Sequence, residues 1–221
     1  MVLEFFKSNS HSGLDGVQDT LVQMLNDGHE VFVTSVGALF GGGKSKETRR
    51  EVQTTDREIN EAQRDVRRAL MVTASIRSMD LPMVLQYASI VKDAERIGDY
   101  SKNIYDLVRY GADFDTATDR EDLVRYSDAV SQLILDAAVV FGEKDTDKAQ
   151  RLIGKADGFL SEYDAQIKKA YNSTGPASDA VARALYYRFL KRITAHVMNM
   201  LTALVQPLDR LDYYDEAPED R

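Results

Sequence analysis

The chain has 221 residues, 28 Lys plus Arg against 36 Asp plus Glu, and a formal net charge of −8. That length supports one sizeable core or two small ones, and the acidic balance argues against a general nucleic-acid binder, which carries a basic excess. With no cysteine, disulfides, zinc-thiolate sites and cysteine-ligated clusters are excluded. No apolar run approaches the length of a membrane span. The start, Met1-Val2-Leu3-Glu4-Phe5-Phe6-Lys7, lacks the basic n-region and long apolar core of a signal peptide. The expectation is a soluble, cytoplasmic protein.

In chain order, the sequence predicts six helices. The first covers 13–40, from a turn-like Ser-His-Ser-Gly to the triple glycine Gly41-Gly42-Gly43. That triplet is the strongest break in the chain. His29–Val36 has local strand character, but a lone strand would have nothing to pair with, so it reads as helix. The second helix covers 45–78. Val52, Thr55, Ile59, Ala62, Val66, Leu70, Thr73 and Ile76 recur at three- and four-residue steps, which is one helical face. The third follows an Asp80 cap, with Pro82 in its first turn, and runs to about Tyr110 before Gly111. Gly111 to Asp119 is rich in Asp and Thr and reads as a linker. Helices follow at 119–142 and 145–172, and a last one, capped by Ser178 or Asp179, reaches about Leu211. The tail from Asp212 is acidic and expected to fray. The fold class is all-α, in two tandem three-helix bundles, with domains at 1–114 and 115–221. At an offset of 96 residues, Ala88, Arg96, Ile97 and Asn103 recur as Ala184, Arg192, Ile193 and Asn199, which suggests an internal repeat.

The third helix carries Glu95-Arg-Ile-Gly-Asp99. Four-residue spacing puts both carboxylates on one face, in line with Leu81, Val84, Ala88 and Val91. Two like charges in such a stripe raise at least one pKa unless a cation relieves them. On the second helix, Asp56 and Asn60 are also four apart, with Glu61 adjacent. Hard oxygen ligands from facing helices can build a site for iron, manganese, magnesium or zinc. The competing reading, and the one that spacing alone favours, is a solvated face with ordinary salt bridges.

Lys92-Asp-Ala-Glu-Arg-Ile-Gly-Asp-Tyr-Ser-Lys-Asn-Ile104 resembles the signature of the PhoU family, regulators of phosphate uptake. That family repeats Glu-Arg-Ile-x-Asp-x-x-x-Asn once in each of two three-helix bundles. The resemblance extends over nearly the whole chain in helix order and is sharp around residues 52–110. It implies a metal cofactor, divalent or trivalent, held by Glu95 and Asp99 on the third helix and by Asp56 and Asn60 on the second. Here Asn60 stands in place of an acid. In the second bundle Lys191 stands where the first copy has Glu95 and Ala195 where it has Asp99, while on the fifth helix Asp157 and Glu162 remain but Ser161 replaces the second acid. That bundle is expected to have lost its metal site, with Lys191 paired to Asp157 or Glu162 instead. The resemblance further implies a non-enzymatic regulator at the cytoplasmic face of a phosphate transporter, with a sensor histidine kinase as a further partner, and a homodimer. The alternative is a metal-free helical adaptor of the same fold with no phosphate role.

Other candidates carry less. His196 falls at the position of Tyr100 and reads as a packing or hydrogen-bonding residue. His11 and His29 have no acidic spacing, and Arg96 and Arg192 read as partners of neighbouring acids. Gly37-Ala-Leu-Phe-Gly-Gly-Gly43-Lys44-Ser45 has five residues where a P-loop has four. A di-iron bundle needs Glu-x-x-His, which is absent. No nucleophile–base pair is visible, so catalysis is not expected.

Overall fold

The computed structural model describes residues 13–76 and 80–211. His11, the Met1–Lys7 start and the acidic tail lie outside the described residues. Among the described residues six long helices follow one another: α1 (Gly13–Gly37), α2 (Lys46–Ile76), α3 (Leu81–Arg109), α4 (Arg120–Glu143), α5 (Thr146–Tyr171) and α6 (Ala177–Val205). There is no strand among the described residues, and none of their helices is long and apolar enough to cross a membrane.

The breaks have local causes. After Gly37 the chain makes one wide turn, Ala38–Gly42, and leaves it through Gly41 (φ 107°) and Gly43 (φ 71°). Glycine adopts that backbone region without the Cβ penalty. A Cβ on Gly41 would sit 3.0 Å from the Asp115 carboxylate, so this turn also accepts close approach of the 111–119 segment. The helix expected to stop at Gly142 runs to Glu143. Lys144, in the left-handed region at φ 54°, caps it by donating its N–H to the Phe141 carbonyl. The last helix begins at Ala177 with no side-chain cap, so Ser178 and Asp179 lie inside it. It ends at Val205 rather than near Leu211. Pro207 explains the shorter end: it has no N–H to continue the ladder, and its ring pushes Gln206 out of the α region, to φ −117° and ψ 148°. A short 3₁₀ turn, Leu208–Arg210, follows.

The α5 start is capped by a side chain. Asp145 accepts a hydrogen bond from the Lys148 N–H at 2.9 Å, satisfying one of the orphan donors of the first turn. That bond holds its carboxyl below the ordinary aspartate value. A depressed folded-state pKa contributes stability above the unfolded value, and the contribution is lost as pH falls through the folded one. Asp145→Ala is therefore expected to lower the Tm at pH 7. The gap to wild type should close in melts taken below the ordinary aspartate range.

α1, α2 and α3 pack against one another, as do α4, α5 and α6. The two triplets then join through α1 on α4 and α3 on α6, and one continuous apolar core spans both. Polar groups stitch the same seams. Gln18 Nε2 donates to the carbonyls of Phe141 and Gly142 at 3.1 and 3.0 Å. His29 Nε2 lies 2.8 Å from Ser131 Oγ. Gln86 Nε2 donates to the Ala203 carbonyl at 2.5 Å. The segment between the triplets is more than a linker. Phe114 is buried, its N–H donates to the Leu39 carbonyl at 2.9 Å, and its ring meets Tyr186 edge-on with centroids 5.6 Å apart.

Of the stripe expected on α2, Val52, Thr55, Ile59, Val66, Leu70 and Thr73 are buried, but Ile76 is 74% exposed at the helix end. On α3 the core face is Val84, Tyr87, Val91, Ala94 and Ile97, whereas Leu81 and Ala88 are exposed. The core therefore lies to one side of the line running through Glu95 and Asp99. Those acids stand on its rim, half-buried, rather than in an apolar stripe.

Candidate functional site

The α2–α3 contact is close because Gly98 has no side chain. A Cβ there would sit 2.7 Å from Ile59 Cδ1. Gly98 belongs to the Glu95–Asp99 turn, so the same residue that brings the helices together places both acids at the crevice between them. On α1, Gly28 permits a second close approach, its Cβ position lying 3.0 Å from Ile97 Cγ2. The third helix is thus held tightly on two sides.

Three of the four expected ligands gather here. Asp56 on α2 and Asp99 on α3 are bridged by one ammonium: Lys102 Nζ lies 2.7 Å from Asp56 Oδ1 and 3.3 Å from Asp99 Oδ1. Arg96 reaches the other Asp99 oxygen at 3.3 Å and Glu95 at 3.7 Å. Burial, then the Asp99 charge, pushes the Glu95 carboxyl above its ordinary value against the pull of Arg96 and Arg67, with Asp56 adding to the rise. Burial works against the Lys102 ammonium, but its hydrogen bond and charge contact with Asp56, followed by those with Asp99, leave it above the ordinary lysine value. The fourth expected ligand, Asn60, turns away: its Nδ2 donates to the Asp56 backbone carbonyl of its own helix at 2.8 Å.

The oxygen chemistry of Asp56, Glu95 and Asp99 suits a hard cation. Their arrangement does not fit one. The space between the Asp56 and Asp99 oxygens, where a shared ion would sit, is taken by Lys102 Nζ. No three His, Asp or Glu side chains converge as a metal-ligand group among the described residues. Sequence reasoning passed over Lys102. The signal was available, since a lysine three residues beyond Asp99 lies on the same helical face.

In the second triplet, Lys191 on α6 pairs with Asp164 on α5, Nζ to Oδ2 2.5 Å. That is a different acid from the two expected. Glu162 instead accepts from the Tyr126 hydroxyl at 3.0 Å, with Arg125 at 3.9 Å. Arg192, expected on an acid, donates Nη2 to His196 Nε2 at 3.2 Å and lies over the Tyr100 ring. A guanidinium only donates, so the ring proton of His196 sits on Nδ1. Nδ1 points at Asp93 Oδ1, 2.7 Å away, and Asn199 Nδ2 donates to the same oxygen at 3.1 Å. His196, stacked on Tyr100 with centroids 5.6 Å apart, is therefore a hydrogen-bonding residue of the α3–α6 seam.

An open groove of about 480 Å³ lies at the far end of α3, lined by Leu107, Tyr110, Phe114, Val181, Ala182 and Leu185 among others. It shares no residue with the carboxylate cluster.

With this geometry in view, the comparisons are specific. Residues 21–108, covering most of α1, all of α2 and nearly all of α3, match the PhoU domain family. That stretch is similar to a PhoU domain. No curated protein is significantly similar to it in sequence. Two solved structures share the fold of almost the entire chain. The phosphate transport system regulatory protein PhoU from Streptococcus pneumoniae superposes with a TM-score of 0.76 at 20% identity, covering 89% of this chain and 94% of the other. PhoU from Pseudomonas aeruginosa gives 0.74 at 20%, covering 90% and 97%. The PhoU fold thus extends through the second triplet, beyond the segment in which the sequence signature is sharp.

Proposed function

We propose that this PhoU-domain chain is a non-enzymatic regulatory accessory protein of phosphate transport, acting at the cytoplasmic face of a phosphate transporter. The observation that carries the reading is the PhoU domain over residues 21–108 within a PhoU fold that spans about nine-tenths of the chain. One of the two solved relatives is itself described as a phosphate transport system regulatory protein. The physical arrangement suits such a role. Two helix triplets on one continuous core present helical faces, and a regulator of this kind acts by which surface it offers a partner, with no bond made or broken. The transporter is the first partner in this reading, a sensor histidine kinase the second, and a second copy of the chain completes a homodimer. The α2–α3 carboxylate cluster contributes by fixing the angle between two of the helices that form that surface.

Crosslinking the tagged full-length chain in phosphate-replete cells tests the reading. Phosphate-transporter subunits are expected among the crosslinked proteins. Recovery of other proteins and no transporter subunit would replace it with the adaptor reading, which the lysine-bearing second triplet also accommodates.

A further inference from the structure

We infer that Lys102 is the built-in cation of the first triplet: its ammonium occupies the position between Asp56 and Asp99 that a bridging metal ion would take, so α2 and α3 are clamped without metal. Three observations support this. The first is position. One Nζ touches an aspartate from each helix, at 2.7 and 3.3 Å. A shared ion would be asked for the same cross-link, holding two like charges together across a helix pair.

The second is charge. The carboxylates at the crevice are Asp56, Glu95 and Asp99, and the cations facing them are Lys102, Arg96 and Arg67. A divalent ion added there would stand beside the Lys102 ammonium and two arginines, and like charges repel.

The third is recurrence. In the second triplet, Lys191 on α6 also binds an aspartate on the neighbouring α5. At the 96-residue offset, Lys102 corresponds to Met198 and Lys191 to Glu95, so the two lysines are not copies of one another. Each triplet joins its second and third helices by a lysine–aspartate bridge from a different register.

This inference concerns how the cluster is neutralised, and it rests on the reading above only for the cluster's structural role. The test is metal binding by the full-length chain, purified without a histidine tag and stripped with chelator, using manganese and zinc as probes. Equilibrium dialysis and melting curves are compared for wild type, Lys102→Ala and Lys102→Met. Wild type is expected to take up no stoichiometric ion and to keep its Tm when either metal is added. Lys102→Ala uncovers the Asp56 and Asp99 carboxylates and opens the space between them for an ion and its waters. It should melt lower in chelator, bind about one ion per chain at least about tenfold more tightly than wild type, and recover its Tm with metal. Lys102→Met keeps the methylene stem and removes only the charge, so it reports the clamp should the alanine variant fold poorly. It should also melt lower than wild type.

Two results would overturn the inference. One is a wild-type chain that binds about one ion and loses it in Asp56→Asn or Asp99→Asn. The other is a Lys102→Met chain that melts like wild type. Either leaves the phosphate-transport reading standing, because that reading is decided by partners and uptake and not by metal content.

Discussion

Asp93→Ala is expected to lower the unfolding free energy by about 3 kcal/mol, the largest effect of any single polar residue here. Asp93 is 1% exposed. Its Oδ1 is the acceptor for both His196 Nδ1 and Asn199 Nδ2. Removing the carboxylate leaves two buried donors with no acceptor in the closed seam between α3 and α6, and each such group costs about 1–3 kcal/mol. Because His196 and Asp93 share one bond, the cost of the double variant Asp93→Ala/His196→Ala should fall short of the sum of the two single costs. Urea titrations of the four proteins measure this. A loss under about 1 kcal/mol for Asp93→Ala would mean that water reaches the seam and that this network does not join the triplets.

Phe114→Ala should cost about 3–4 kcal/mol, the range for emptying a buried phenylalanine site. The side chain is 1% exposed. It lies among Phe40 after α1, Tyr186 on α6 and the Arg183 guanidinium. Arg183 is itself fixed by Asp119, at 2.7 and 2.6 Å to the two carboxylate oxygens. Phe114 therefore pins the crossover segment to both triplets at once. Phe114→Leu keeps most of the volume and should cost about 1 kcal/mol. Equal losses for Ala and Leu would show that the aromatic edge contacts matter more than the filled space.

The reason Phe114 escaped sequence reasoning is instructive. It is flanked by Asp113 and Asp115 in an Asp/Thr-rich stretch, so its apolar character has no periodic neighbours. Isolated anchors are invisible to pattern methods, which register repetition. The six helices were legible for the opposite reason. Gly41-Gly42-Gly43, Gly111 and Pro176 punctuate the chain, and between them apolar residues recur at helical steps. The overrun of the last helix past Pro207 was avoidable, since a proline that follows an apolar run ends it more reliably than the run extends it. Leu81 and Ala88 share a line with Glu95 and Asp99, but which of several adjacent lines on a helix becomes buried depends on where its neighbours pack. That placement, off by about one residue, turned an apolar stripe with buried acids into a core rim with half-buried ones.

The carboxylate cluster was half legible for a related reason. Spacing and the Glu-Arg-Ile-Gly-Asp resemblance brought Glu95, Asp99 and Asp56 forward, and the structure does gather them. Asn60 lies one turn beyond Asp56, and its amide donates to the Asp56 carbonyl of its own helix, as short amides commonly do. Lys102 is not legible from acid spacing alone. The cation that answers the acids is on the same helix, three residues on. In the second triplet the substitution of Lys191 for an acid was plain in the sequence, but its partner was not: the choice of Asp164 over nearby acids is set by side-chain reach across the α5–α6 crevice.

If this chain restrains phosphate transport, as proposed, phosphate uptake should change when it is removed. Cells with the gene deleted, and the same cells complemented with the full-length chain, are moved from scarce to abundant phosphate and given labelled phosphate. The deletion strain is expected to keep a high uptake rate after the shift, and complementation to restore the fall. Uptake that falls equally with and without the chain would contradict the proposal.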